Sequence, residues 1–169
     1  IAAKVIANLV SQSFIHRVYL LDLHNTSIPG FFSVPTTHIS ANQLFVEYVR
    51  QQLELSQIVV ASPDFGGLKR ARVFADLLEV PLVNIDKQRD LHTGEVSVTE
   101  VHGDVTGKKV ILFDDIIMSG GTAAETAKLL KERQATEIHF FATHGLFVGD
   151  AVEKLNNSDL DSIVITNSI

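Results

Sequence analysis

This sequence predicts an α/β fold, with a mostly parallel sheet carrying helices on both faces. Three observations point there. Short runs rich in β-branched and aromatic residues recur along the chain, and they are apolar throughout rather than alternating, as strands buried on both faces are. Stretches with helical spacing of apolar residues separate them. Polar and glycine-rich clusters fall directly after the apolar runs, and open parallel sheets bind ligands beyond the carboxyl ends of their strands.

Taken in order, Ala2–Val10 has helical spacing and Val18–Leu21 reads as a first strand followed by Asp22 and His24. Asn42–Leu53 reads as a helix. Ile58–Ala61 reads as a strand leading into Ser62-Pro63-Asp64-Phe65-Gly66-Gly67, with a helix over Gly67–Leu78. Leu82–Ile85 is a strand that ends on Asp86-Lys87-Gln88-Arg89. Leu91–Gly107 breaks the rhythm: it is polar, carries Gly94 and Gly103, and alternates over Glu95–Thr99, which predicts a β-hairpin flap. Val110–Phe113 is a strand leading to Asp114, Asp115 and a Ser119-Gly120-Gly121-Thr122 turn, with a helix over Thr122–Arg133. Ile138–Ala142 precedes Thr143-His144-Gly145, and a helix near Gly149–Asn156 and a strand at Ile163–Ile165 complete the pattern. The clusters after the first five of these strands are expected on one sheet edge, as one composite active site.

Composition narrows the function classes. The chain has 169 residues, which suits one domain spanning all of them. Apolar residues make up 46% and charged residues 20%, an ordinary globular balance rather than a disordered one. There is no cysteine, so disulfides and thiolate metal sites are excluded, and a reducing, cytoplasmic setting is expected. A net charge of −6 argues against a broad nucleic-acid footprint. No apolar run approaches the ~18–20 residues that span a membrane. The opening IAAKVIANLV lacks a basic flank and an initiator Met, so it reads as a stretch from inside a longer protein rather than as a signal peptide.

The chemistry concentrates in Val110–Thr122. A buried strand, paired carboxylates, a glycine turn and a helix start follow one another. The turn would present backbone N–H groups and two hydroxyls at a helix N-terminus, a site for a phosphate dianion. Asp114 and Asp115, expected to stand exposed at the strand end, suit the 2- and 3-hydroxyls of a ribose. Among the histidines, His16, His38, His92 and His102 are expected on loops or the surface, His139 in a structural role, and His144 near the pocket.

This block resembles the phosphoribosyl diphosphate binding motif of type I phosphoribosyltransferases. Asp22-Leu-His-Asn-Thr-Ser-Ile-Pro-Gly-Phe-Phe-Ser-Val-Pro35 resembles a signature of the ribose-phosphate diphosphokinases. Ser62–Ala71, Asp86–Arg89, Ala142–Gly145 and Ile165–Ile169 resemble further blocks of that family, in the same order. The resemblance implies a type I phosphoribosyltransferase-like fold and transfer of the diphosphate of ATP to ribose 5-phosphate. It implies that Lys87 and Arg89 are catalytic, and that Arg89, Asp114, Asp115, Ser119, Gly120, Gly121 and Thr122 bind ribose 5-phosphate. It also implies that His24 and Asp64, with Asp22 as a water-mediated or supporting partner, hold Mg2+. Members are about twice this length and form homo-oligomers; this chain resembles their C-terminal half, and the other half supplies most of the ATP site. A nucleobase phosphoribosyltransferase and a non-catalytic regulatory homologue are the alternatives. Ser33 and Thr37 stand where the family usually has Asp linked to cation binding, which bears on a second cation site, and Met118 stands where its ribose turn usually contains Asp.

Overall fold

The computed structural model describes residues 2–64, 66–89 and 96–169, with the backbone alone for residues 87–89 and 96–100. It divides into two compact units, Ile1–Gln43 and Leu44–Ile169.

The first unit contains α1 (Ala2–Ser11), β1 (Val18–Leu21) and β2 (Thr36–Ile39). β1 and β2 pair in parallel, from Val18 opposite Thr36 to Leu21 opposite Ile39. Asp22 follows β1 at φ 35°, a conformation that Asp tolerates better than most residues. Its Oδ2 accepts the Ala41 N–H at 2.8 Å, tying the end of one strand to the exit of the other. The structure corrects one expectation. β1 does not share a sheet with the later strands but forms a two-stranded sheet with β2. A short apolar run announces a strand without naming its neighbour. Thr36-Thr37-His38-Ile39 is too polar to announce itself.

The second unit opens on α2 (Asn42–Gln52), whose first two residues precede the division. Its elements are β3 (Ile58–Ala61), α3 (Leu68–Leu78), β4 (Leu82–Arg89), β5 (Val96–His102), β6 (Lys109–Ile117), α4 (Gly121–Glu132), β7 (Glu137–Gly145), α5 (Ala151–Asn156) and β8 (Ser162–Ile165). The sheet has six strands in the order β5-β4-β3-β6-β7-β8. All neighbours are parallel except β5, which runs antiparallel to β4 as a hairpin. The flap expectation holds to that extent; its tip, residues 90–95, lies outside the described residues.

Helices cover both faces, and the reason is visible in their spacing. α3 buries Ala71, Phe74, Ala75 and Leu78, and α4 buries Ala123, Thr126, Ala127 and Leu130, the i, i+3, i+4, i+7 stripe of an amphipathic helix. α4 and α5 pack on Val59, Ala61, Val110, Leu112, Ile138 and Phe140. On the opposite face Phe74 of α3 stacks on Phe113 with centroids 4.1 Å apart. Phe45 of α2 meets Phe113 and Phe141 edge-on at 5.8 and 5.6 Å. No helix among the described residues is long and apolar enough to cross a membrane.

Several strands run further than their apolar cores. β6 continues through Asp114 and Asp115 to Ile117, and β7 through His144 to Gly145, in mutual register. Ladder hydrogen bonds are made by the backbone, so polar side chains do not end a strand.

Candidate functional site

The chain runs outward from β3 to β4, then returns to the other side of β3 with β6. The carboxyl ends of β3 and β6 therefore flank the switch point of the sheet, where open α/β folds form their ligand crevice. The loop after β3 carries Asp64, and β6 carries the acid pair.

These groups are brought close together. A Cβ on Gly67 would lie 2.7 Å from Ser62 Oγ, 3.4 Å from Asp64 Oδ1 and 3.5 Å from Asp114 Oδ1. Only the Ser62 hydroxyl is closer than van der Waals contact, so a side chain at this position would have to displace it. Asp64 Oδ1 accepts the Gly67 N–H at 2.7 Å, and Ser62 Oγ donates to the Asp64 carbonyl at 2.6 Å, so the turn is closed by its own side chains.

The acid pair is not the exposed strand end that the sequence suggests. Asp115 is 1% exposed. Asp114 Oδ1 accepts the Asp115 N–H at 2.8 Å, so its side chain folds back along the strand. Arg70, in the first turn of α3, places Nη1 3.0 Å from Asp114 Oδ1 and 3.1 Å from Asp115 Oδ1. One guanidinium cannot neutralise two carboxylates. Burial, with Asp115 and Asp64 nearby, pushes Asp114 up to about 7. The sequence reading misses Arg70. A signal was present: a cation in the first turn of a helix opposes the helix dipole and calls for a carboxylate partner.

Beyond β6 lies the glycine turn. Gly120 has φ 72°, and a Cβ on it would lie 2.7 Å from Leu155 Cγ, so both its conformation and its space demand glycine. A Cβ on Gly121 would meet only Ser119 Oγ, at 3.9 Å. Ser119 and Thr122 are exposed, and the first turn of α4 holds no acidic residue. A ligand can thus reach the backbone at the positive end of a 12-residue helix. The strand exit is fixed by Leu146 and Val148, whose N–H groups donate to the Ile117 and Met118 carbonyls at 2.9 and 3.0 Å.

The remaining expected residues are placed as follows. Asp22 and His24 belong to the first unit and Asp64 to the second. The side chains of Lys87 and Arg89 lie outside the described residues; their backbones sit in β4 opposite Val98 and Val96, just past a bulge at Asp86/Lys87. His139 has its structural role, 8% exposed and bonded to Ser162 Oγ at 2.8 Å. His144 Nδ1 meets Ser168 Oγ at 2.8 Å at the end of β7. His102 closes β5 and pairs with Asp86 at 2.9 Å. His92 lies outside the described residues. No group of three His, Asp or Glu side chains gathers as a metal site among the described residues.

Comparison with known proteins finds similar sequences and similar folds. The model of the phosphoribosyl synthetase-associated domain family matches residues 94–169. All 169 residues align at 43% identity with 54% of a ribose-phosphate pyrophosphokinase of Helicobacter hepaticus. A ribose-phosphate pyrophosphokinase of Nostoc sp. is 42% identical over 100% of this chain and 51% of its own length. The crystal structure of phosphoribosylpyrophosphate synthetase from Mycobacterium smegmatis superposes with a TM-score of 0.88 at 35% identity, over 99% of this chain and 54% of that one. Over its whole length, this chain is similar to ribose-phosphate pyrophosphokinases. It spans about half the length of the curated relatives it matches. The fold is shared more widely: a purine phosphoribosyltransferase from Pyrococcus horikoshii matches at a TM-score of 0.57 and 20% identity, covering 90% of this chain and 89% of that one.

Proposed function

We propose that this chain is the C-terminal, phosphoribosyl-binding half of a ribose-phosphate diphosphokinase. The reaction transfers the diphosphate of ATP to the 1-hydroxyl of ribose 5-phosphate, giving 5-phosphoribosyl 1-diphosphate and AMP. The observation that carries this reading is the arrangement of β6 and α4 at the switch point. Paired carboxylates precede a glycine turn whose Gly120 is at φ 72° and whose Gly121 is open to a ligand. The 5-phosphate would sit on the N–H groups of Ser119–Thr122, with the two hydroxyls at its sides. Asp114 and Asp115 are the proposed acceptors of the ribose hydroxyls, Asp114 being the more accessible of the two, and the 1-hydroxyl would be directed outward.

In the reaction the 1-hydroxyl oxygen attacks the β-phosphorus of ATP, and the bond from that phosphorus to the α–β bridging oxygen breaks. AMP leaves as negative charge builds on the transferred group. Lys87 and Arg89, at the base of the flap, are the cations proposed to meet that charge, and Arg89 also contacts the sugar phosphate. Asp64, Asp114 and Asp115 are hard oxygen donors, the ligand type that suits a divalent cation, and among the described residues they do not by themselves gather as a metal site. Asp64 of the second unit, and His24 and Asp22 of the first, are each proposed as donors to Mg2+, an ion that takes few protein ligands and keeps positions for phosphate oxygens and water. That ion supplies charge neutralisation on the phosphates. A cytoplasmic homo-oligomer completes the proposal.

Calorimetry tests the binding step. The chain is expected to bind ribose 5-phosphate, and Gly121→Val, which fills the open position, is expected to weaken binding at least tenfold. Appreciable AMP formation from ATP, dependent on ribose 5-phosphate and Mg2+, is expected only when the remaining half of the relatives' length is present. Absence of ribose 5-phosphate binding by this chain would overturn the proposal.

A further inference from the structure

Neighbouring residues of a strand direct their side chains to opposite faces. Asp114 and Asp115 are neighbours in β6, yet an oxygen of each lies against one nitrogen of Arg70, at 3.0 and 3.1 Å. Two features make this convergence. The Asp114 carboxylate is turned back along the strand, its Oδ1 accepting the Asp115 N–H at 2.8 Å. Arg70 reaches across from the start of α3, 44 residues away in sequence. Its side chain is 22% exposed, against 16% for Asp114 and 2% for Asp115, so the cluster is largely shielded from water. A charge held there keeps its partners in place more firmly than a surface pair does.

We infer that Arg70 is the positioning residue of the ribose site: it fixes the directions of both carboxylates and so sets how strictly the sugar hydroxyls are recognised. The inference rests on the reading of Asp114 and Asp115 as the acceptors of the ribose hydroxyls. The division of labour follows from the geometry. The glycine turn binds the phosphate and owes nothing to Arg70. The hydroxyl acceptors owe their orientation to it. Loss of Arg70 therefore acts on discrimination between sugars rather than on anion binding.

The experiment titrates the chain with ribose 5-phosphate, 2-deoxyribose 5-phosphate and inorganic phosphate, in the parental, Arg70→Gln and Arg70→Lys forms. The parental chain is expected to favour the ribose over the deoxyribose compound by roughly tenfold or more, the effect of one hydrogen bond to a charged group. Arg70→Gln is expected to bring that ratio close to one while the affinity for inorganic phosphate changes by less than about twofold. Arg70→Lys keeps the charge. Its shorter single ammonium cannot hold both carboxylates in the same directions, so the ratio falls to an intermediate value. A general loosening of the structure would weaken all three ligands together and leave the ratio alone. A parental ratio in Arg70→Lys overturns the positioning role, even where Arg70→Gln does not fold. A parental chain that binds inorganic phosphate but neither sugar phosphate overturns the functional reading, and this inference with it.

Discussion

Replacing Gly120 with alanine separates the two demands placed on the phosphate turn. The residue sits at φ 72°, where an L side chain costs roughly 1–2 kcal/mol. The added methyl would also lie 2.7, 2.8 and 3.0 Å from Cγ, Cδ2 and Cδ1 of Leu155. Ordinary carbon contacts are about 3.5–4.0 Å, so three atoms are too close by up to about 1 Å. Leu155 is 4% exposed and belongs to the core beneath α4 and α5, which leaves it little room to swing away. Overpacking of this kind costs roughly 1–3 kcal/mol more. The total, about 2–5 kcal/mol, corresponds to a fall in Tm of several degrees or more at this chain length. Gly107→Ala is the control: Gly107 has φ 69° and nothing within 4 Å of an added methyl, so it carries the conformational cost alone. Thermal melts of both variants, followed by circular dichroism, should show Gly120→Ala less stable than Gly107→Ala by roughly 1–3 kcal/mol. Equal melting of the two would refute the claim that Leu155 leaves no space for a side chain at Gly120.

Asp114 is raised from 3.8 to about 7 in the folded chain, so the fold binds a proton between those values that the unfolded chain does not. Its contribution to stability is therefore lost as pH rises from about 4 to 7. Urea melts should show Asp114→Asn gaining on the parental chain by up to a few kcal/mol between pH 5 and pH 8, and a parallel pair of curves would contradict the assignment. Phe74→Ala removes a ring that is 0% exposed and stacked on Phe113, so a loss of about 3–5 kcal/mol in denaturant titration is expected. Thr126 is 0% exposed and its hydroxyl has no hydrogen-bond partner among the described residues. Thr126→Val should therefore raise stability by about 1 kcal/mol, measured as a higher Tm.

The sequence by itself determined what depends on local pattern. The apolar runs of β3, β6 and β7 and the stripes of α3 and α4 are written in residue spacing, because burial selects side chains that recur with the period of the element. The glycine turn is equally local: its glycines, hydroxyls and helix start are consecutive residues. Tertiary structure alone decided whatever depends on partners distant in sequence. It paired β1 with β2 rather than with the large sheet, because parallel pairing is specified by neighbours and not by the strand's own residues. It buried Asp115, whose place after an apolar run is compatible with either exposure. It set Leu155 under Gly120. It also drew Arg70 onto both carboxylates of the acid pair across 44 residues of chain. A strand's period of two would send those carboxylates to opposite faces; the bond from the Asp115 N–H to Asp114 and the charge supplied from another element bring them together.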